Sequence, residues 1–297
     1  MSKQAVLTLT NEINNNLDKN GVVILPPMEV HESILLLKSL GLEVTVTMLD
    51  PWYNRGIGGV RDDYIDFILG LLNNVKDITN HLYLWGFPEI VALFVDKIPQ
   101  PLEFVTWLTW YYKNNPSVIR GWRSSQQACL HLSKPNVKLH PENFFSDSQK
   151  EKYKQKKMRF IPGPPSVIEE SLLVGFIGKK EKTAHPSQKP FKVYEKLIKM
   201  TTTEGDLTYD PMCGSGTTGD VCRALGVKAI ISDISEEYTQ ICENRLGIKR
   251  LDCQTLRKIV PASKVTLTID TMPVHHLLVH PNGDKHTNET RQMALSW

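Results

Sequence analysis

Two short stretches carry residue types that do chemistry. In Tyr209-Asp210-Pro211-Met212-Cys213-Gly214-Ser215-Gly216-Thr217-Thr218, glycines fall where a β-prone run, Leu207-Thr208-Tyr209, hands over to the helical spacing of residues 219–225. Without Cβ atoms, Gly214 and Gly216 allow positive φ and let a ligand approach the main chain, while free N–H groups at the following helix start favour an electron-rich ligand group. The plainer alternative is a loop that merely turns. Downstream, the buried-type run Val227-Lys228-Ala229-Ile230-Ile231-Ser232 ends in Asp233, placed to accept hydrogen bonds from ribose hydroxyls at the close of a βαβ unit. Asp233 also suits a helix N-cap, with Glu236 at capping-box spacing. The second stretch, Asp50-Pro51-Trp52-Tyr53, follows the strand-like Val44-Thr45-Val46-Thr47-Met48-Leu49. A carboxylate and an aromatic ring thus sit at a strand's C-terminal end, where open α/β sheets bind ligands.

Taken alone, the glycine unit fits nicotinamide, flavin or S-adenosylmethionine equally. The other stretches decide. Asp50-Pro51-Trp52-Tyr53 resembles the Asp-Pro-Pro-Tyr signature of S-adenosylmethionine-dependent DNA amino-methyltransferases, and Asp210-Pro211-Met212-Cys213-Gly214-Ser215-Gly216-Thr217-Thr218 resembles their cofactor motif. His185-Pro186-Ser187-Gln188-Lys189-Pro190 resembles the segment preceding the cofactor strand in one subgroup. The order, catalytic motif first and cofactor motif last, is that of the β subgroup.

The resemblance implies a Rossmann-like α/β sheet, mostly parallel with an antiparallel edge hairpin, plus a small target-recognition region. It divides the chain into a catalytic part (1–138), a target-recognition region (139–182), a cofactor part (183–250) and a C-terminal extension (251–297). It implies Asp50, Pro51, Trp52 and Tyr53 as catalytic residues: Asp50 and the Pro51 carbonyl would accept amino protons, Tyr53 would stack on an extruded base, and Trp52 departs from the usual Pro. It implies S-adenosylmethionine as cofactor, held by Asp210, Pro211, Cys213, Gly214, Gly216, Thr217 and Asp233, with Lys189 at the cofactor's carboxylate. The partner is double-stranded DNA with a flipped base, with room for a homodimer and a restriction endonuclease partner. The expected product is N6-methyladenine, since Asp50 stands where Ser or Thr commonly accompanies cytosine N4. Competing readings are an N4-cytosine enzyme, a nicotinamide oxidoreductase and a catalytically silent DNA-binding relative.

The remaining chain must position these groups. With 297 residues and 41% hydrophobic content, it can bury a full α/β core. A net charge of +3 means that nucleic-acid affinity must come from local patches. The basic run of Lys150, Lys152, Lys154, Lys156, Lys157 and Arg159 is such a patch, suited to phosphate contact or, more plainly, a solvated helix face. Cys129, Cys213, Cys222, Cys242 and Cys253 have no zinc or disulfide spacing, and no apolar run reaches membrane-spanning length, so the chain reads as cytosolic. Residues 5–17 read as a polar lead-in. Strands are expected at 22–25, 44–49, 81–85 and 103–112 and near 128–134, and helices at 30–40, 62–75, 89–95 and 194–200. The resemblance implies that the strand at 22–25 lies beside the cofactor's adenine. The aromatic run Trp107, Trp110, Tyr111 and Tyr112 fits core packing better than nucleic-acid stacking. In the tail, residues 265–269 and 274–279 suggest a hairpin, and His275, His276, His280 and His286 lack partners at metal-ligand spacing.

Overall fold

The run that ends in Asp50 and the run that ends in Asp210 lie about half the chain apart in sequence, yet they form adjacent strands. In the computed structural model, which describes residues 3–54, 59–115, 118–119 and 121–252, β-branched and apolar side chains hold both strands in the middle of one sheet. Their order comes from the connections between them. Helix α1 (Lys3–Asn20) leads into β1 (Val22–Ile24), and α2 (Val30–Ser39) connects it to β2 (Val44–Leu49). Helix α3 (Tyr64–Val75) leads to β3 (Thr79–Gly86), and the single turn α4 (Pro88–Val91) precedes β4 (Glu103–Tyr111). A small hairpin, β5 (Val118–Ile119) and β6 (Trp122–Arg123), separates β4 from β7 (Gln126–Ser133). Then come α5 (Asp147–Lys154), β8 (Val167–Glu169), α6 (Phe191–Thr201), β9 (Leu207–Asp210), α7 (Thr217–Ala224), β10 (Lys228–Ile231) and α8 (Glu236–Leu246).

The sheet order is β1-β10-β9-β2-β3-β7-β4-β8, and β7 alone runs antiparallel to its neighbours β3 and β4. Parallel pairing of Val46 with Thr208 and Thr47 with Tyr209 sets the ends of β2 and β9 side by side. The pleat sends alternate side chains to two cores. Leu82 and Leu84 join one with α1, α2 and α3, whereas Tyr83 and Trp85 join the other with α6, α7 and α8. This mixed sheet, with its antiparallel strand inserted beside β3, is the expected α/β class. The strand at 22–25 lies at the sheet edge beside β10.

Two expectations change. Residues 5–17 are not a lead-in but most of α1, because Leu9, Ile13 and Leu17 recur every four residues and are buried against the sheet. The Asn-rich remainder faces outward and masks that narrow stripe in composition. Second, Asp233 is not the N-cap of α8; the Ser235 hydroxyl takes that role by accepting from the Tyr238 N–H. The region at 139–182 also contributes a strand, since β8 pairs in parallel with β4 at the sheet edge. Of the aromatic run, Trp110 and Tyr112 are buried, and Trp107 and Tyr111 are half-buried. Among the described residues no helix is long and apolar enough to cross a membrane, and no cluster of His, Cys, Asp or Glu could hold a metal ion. The expected tail hairpin, the tail histidines and Cys253 lie outside the described residues.

Candidate active site

Asp50 immediately follows β2, and its carboxylate is held by three side chains from different parts of the chain. The Tyr53 hydroxyl donates to Oδ1 at 2.9 Å, the Lys189 ammonium to Oδ2 at 2.5 Å, and the Tyr194 hydroxyl to Oδ2 at 3.2 Å. Lys189 is only 5% exposed and Asp50 16%, so each charge needs the other to offset the loss of water. The ammonium also donates to the Tyr53 oxygen at 2.9 Å and lies 5.3 Å from the ring centres of both Tyr53 and Trp85. Trp85 in turn stacks on Tyr194, with the ring planes 7° apart. Burial, with the charge of Asp50 nearby, pushes the hydroxyls of Tyr53 and Tyr194 well above the usual tyrosine range, so both remain donors. Tyr53 meets Phe87 edge to face at 4.8 Å, and its hydroxyl also reaches Gln127 Oε1 at 2.9 Å.

Pro51 is buried and Trp52 packs behind the turn rather than into it. The Trp52 ring lies 5.4 Å from both Tyr64 and Phe67, and its carbonyl accepts from the Tyr64 hydroxyl at 2.7 Å. The aromatic that departs from the motif therefore braces the loop from the core side.

The glycine loop leaves β9 at Asp210, whose carboxylate accepts from the Met212 N–H at 3.1 Å and the Thr218 hydroxyl at 2.5 Å. Burial raises the Asp210 pKa to about 7. Pro211 and Cys213 are buried, and the Cys213 sulfur lies 3.7 Å from that of Cys242 on α8. Gly214 and Gly216 have φ of +49° and +74°. A Cβ at Gly214 would fall 2.7 Å from His185 Nε2, and one at Gly216 3.0 Å from the Cys242 sulfur, so side chains are excluded by space as well as by backbone. Asp233 closes the loop: Oδ2 accepts from the Gly214 N–H and Oδ1 from the Ser235 N–H, each at 2.9 Å. The carboxylate retains acceptor capacity for a ligand hydroxyl. Burial raises the Asp233 pKa. Thr217 starts α7 and donates to the Lys189 carbonyl at 3.1 Å, while Arg245 donates to its hydroxyl at 2.9 Å.

The expected residues therefore fall into two adjoining groups. Asp50, Tyr53 and Lys189 form one; Asp210, Cys213, Gly214, Gly216, Thr217 and Asp233 form the other, and the Lys189–Thr217 bond joins them. Lys189, expected at the cofactor's carboxylate, is bound here to Asp50. Lys150, Lys152, Lys154, Lys156, Lys157 and Arg159 are all exposed, on α5 and just beyond it. Sequence reasoning missed Gln127, Tyr194 and Trp85. Each sits in an ordinary strand or amphipathic helix, and only the fold brings it to Asp50.

A bare main chain with positive φ, closed by a fixed carboxylate, fits a nucleoside-bearing ligand such as S-adenosylmethionine. Comparison with known proteins agrees. Residues 44–244 match the N6/N4 family model described as DNA methylase. The chain is 29% identical over 219 residues to the Type II methyltransferase M.HpaI of Haemophilus parainfluenzae, a match covering 68% of each chain. The crystal structure of the M1.HpyAVI-SAM complex superposes with a TM-score of 0.59 at 21% identity, covering 76% of this chain and all of that one (100%). PvuII DNA methyltransferase, named as cytosine-N4-specific, superposes with a TM-score of 0.56 at 16% identity, over 81% of this chain and 93% of that one. The structural likenesses establish the fold.

Proposed function

Because the chain belongs to the N6/N4 DNA methylase family, whose members methylate DNA from S-adenosylmethionine, we propose that it is a site-specific enzyme acting on the exocyclic N6 of adenine. The observation that carries this reading is Asp50, a half-buried carboxylate fixed at the end of β2 beside the glycine loop.

An exocyclic amine is a poor nucleophile because its lone pair is delocalised into the ring. Hydrogen-bond acceptors that hold its protons favour a more tetrahedral nitrogen, with the lone pair free to attack. Asp50 Oδ1 supplies one such acceptor and the Pro51 carbonyl the second. Tyr53 offers a ring face to the extruded base. A base inside a duplex cannot reach this turn, so the target flips out at an unstacking cost of about a few kcal/mol, offset by stacking and hydrogen bonds in the site. When bound, S-adenosylmethionine supplies an electrophilic methyl group on its sulfonium. Gly214 and Gly216 would give it main-chain approach, and Asp233 would accept from its ribose hydroxyls. The Lys189–Asp50 pair keeps the acceptor oriented, and alignment of amine and methyl supplies much of the acceleration. The carboxylate also supports adenine over cytosine, because Asp at the head of this motif accompanies adenine in most resembling enzymes.

In this reading, residues 139–182 contact the duplex. The cations of 150–159 neutralise phosphates and position the DNA without reading its sequence. The direct test is transfer of labelled methyl from S-adenosylmethionine to mixed-sequence duplex DNA. Asp50→Asn preserves shape but replaces one acceptor oxygen with a donor. It is expected to lower transfer by about 100-fold or more, the scale of losing one preorganised polar group, while calorimetry finds cofactor binding intact. Wild-type transfer rates in the Asn variant would refute the role of Asp50.

A further inference from the structure

Tyr53 holds more partners than its single hydroxyl proton can serve. Its oxygen lies 2.9 Å from Asp50 Oδ1, from Gln127 Oε1 and from Lys189 Nζ. An ammonium has no acceptor, so Lys189 must donate to the tyrosine, and the hydroxyl proton can point only to Asp50 or to Gln127. Asp50 Oδ2 is already committed to Lys189 and Tyr194. Oδ1 is therefore the oxygen left for an incoming amino group, and the Tyr53 hydroxyl, although it takes only one of its two lone pairs, competes for its negative charge. A second acceptor on the far side of Tyr53 removes that competition at the cost of one hydroxyl rotation, with no movement of heavy atoms.

Gln127 is placed for this by topology. It is the second residue of β7, which begins where β3 ends, since Ala128 pairs with Gly86, and Gln127 itself pairs with Trp110. The strand register thus carries an amide from the antiparallel part of the sheet to the catalytic turn.

We propose that Gln127 is a positioning residue that accepts the Tyr53 hydroxyl hydrogen bond when Asp50 Oδ1 receives the amino group of the target base. This role rests on the amino-methyltransferase reading above. Tyr53 keeps its proton throughout, because burial and Asp50 hold its pKa well above the ordinary value, so the hydrogen bond is redirected and no proton is transferred. With Gln127 absent, the hydroxyl stays on Asp50, weakening Oδ1 as an acceptor in the transition state without altering the cofactor loop.

The test is a double-mutant cycle read in single-turnover methyl transfer, with Gln127→Leu and Tyr53→Phe alone and combined. Gln127→Leu is expected to slow transfer by about tenfold, the upper range for one neutral hydrogen bond, with S-adenosylmethionine affinity within about twofold of wild type. In the Tyr53→Phe background the same change should cost nothing further, because the effect passes through the hydroxyl. Gln127→Glu, which keeps an acceptor at that position, should recover most of the lost rate and guards against misfolding of the leucine variant. Equal losses in both backgrounds, or no loss in either, would overturn the positioning role of Gln127. An active wild type with a failed cycle counts against Gln127 alone, whereas a wild type that transfers no methyl to DNA overturns the functional reading as well.

Discussion

At the scale of single residues, the site turns on a buried ion pair. Lys189 and Asp50 are 139 positions apart in sequence and 2.5 Å apart in space. Removing one partner of such a pair leaves the other charge buried without compensation, at a cost of about 3–5 kcal/mol. Asp50→Ala should therefore lower the unfolding midpoint as well as abolish transfer, and Lys189→Met added to it should restore stability but not activity. Chemical denaturation of the single and double variants checks this; equal stability of the two would mean that Lys189 finds other partners or water. Asp50, Tyr53 and the two glycines could be singled out in the sequence because each stands in a contiguous run that resembles a family motif. Gln127 and Tyr194 were not, since they lie 74 and 144 positions from their partners and nothing local marks them.

At the scale of elements, the sheet order joins the two motifs, and the turns after β9 and β10 shape the second half of the site. Asp233 ties both turns together through the Gly214 and Ser235 N–H groups. Asp233→Ala should weaken S-adenosylmethionine binding by about 1–3 kcal/mol, the scale of losing hydrogen bonds to a charged acceptor. Calorimetry on a folded variant with unchanged affinity would remove Asp233 from the site. Most strands and helices were legible because buried β-branched runs and helical apolar spacing coincide with turn signals. Helix α1 escaped because its buried stripe is only Leu9, Ile13 and Leu17. Strand β8 escaped because Val167–Glu169 has a single buried side chain, Ile168, and forms by pairing with β4. The cap of α8 fell to Ser235 rather than Asp233 because the aspartate is drawn back to the glycine loop.

At the scale of the whole molecule, a formal net charge of +3 gives no strong global attraction to a polyanion. Affinity for duplex DNA then depends on where cations cluster, and the exposed side chains on and beyond α5 form such a cluster. Replacing Lys152, Lys154, Lys156 and Lys157 with Gln should weaken DNA binding across sequences. It should also flatten the slope of log affinity against log salt by about 0.9 for each phosphate that is no longer neutralised. An unchanged slope would make the run a solvated helix face.

The atom that receives the methyl group separates the two kinds of enzyme in this family. A carboxylate paired with a main-chain carbonyl can hold both amino protons of adenine or of cytosine, and in the proposed reading Asp50 favours adenine. Nucleoside mass spectrometry of mixed-sequence duplex DNA, digested after incubation with the protein and labelled S-adenosylmethionine, reads that choice directly. The expected product is N6-methyladenine carrying the label, and N4-methylcytosine as the sole methylated nucleoside would contradict the account.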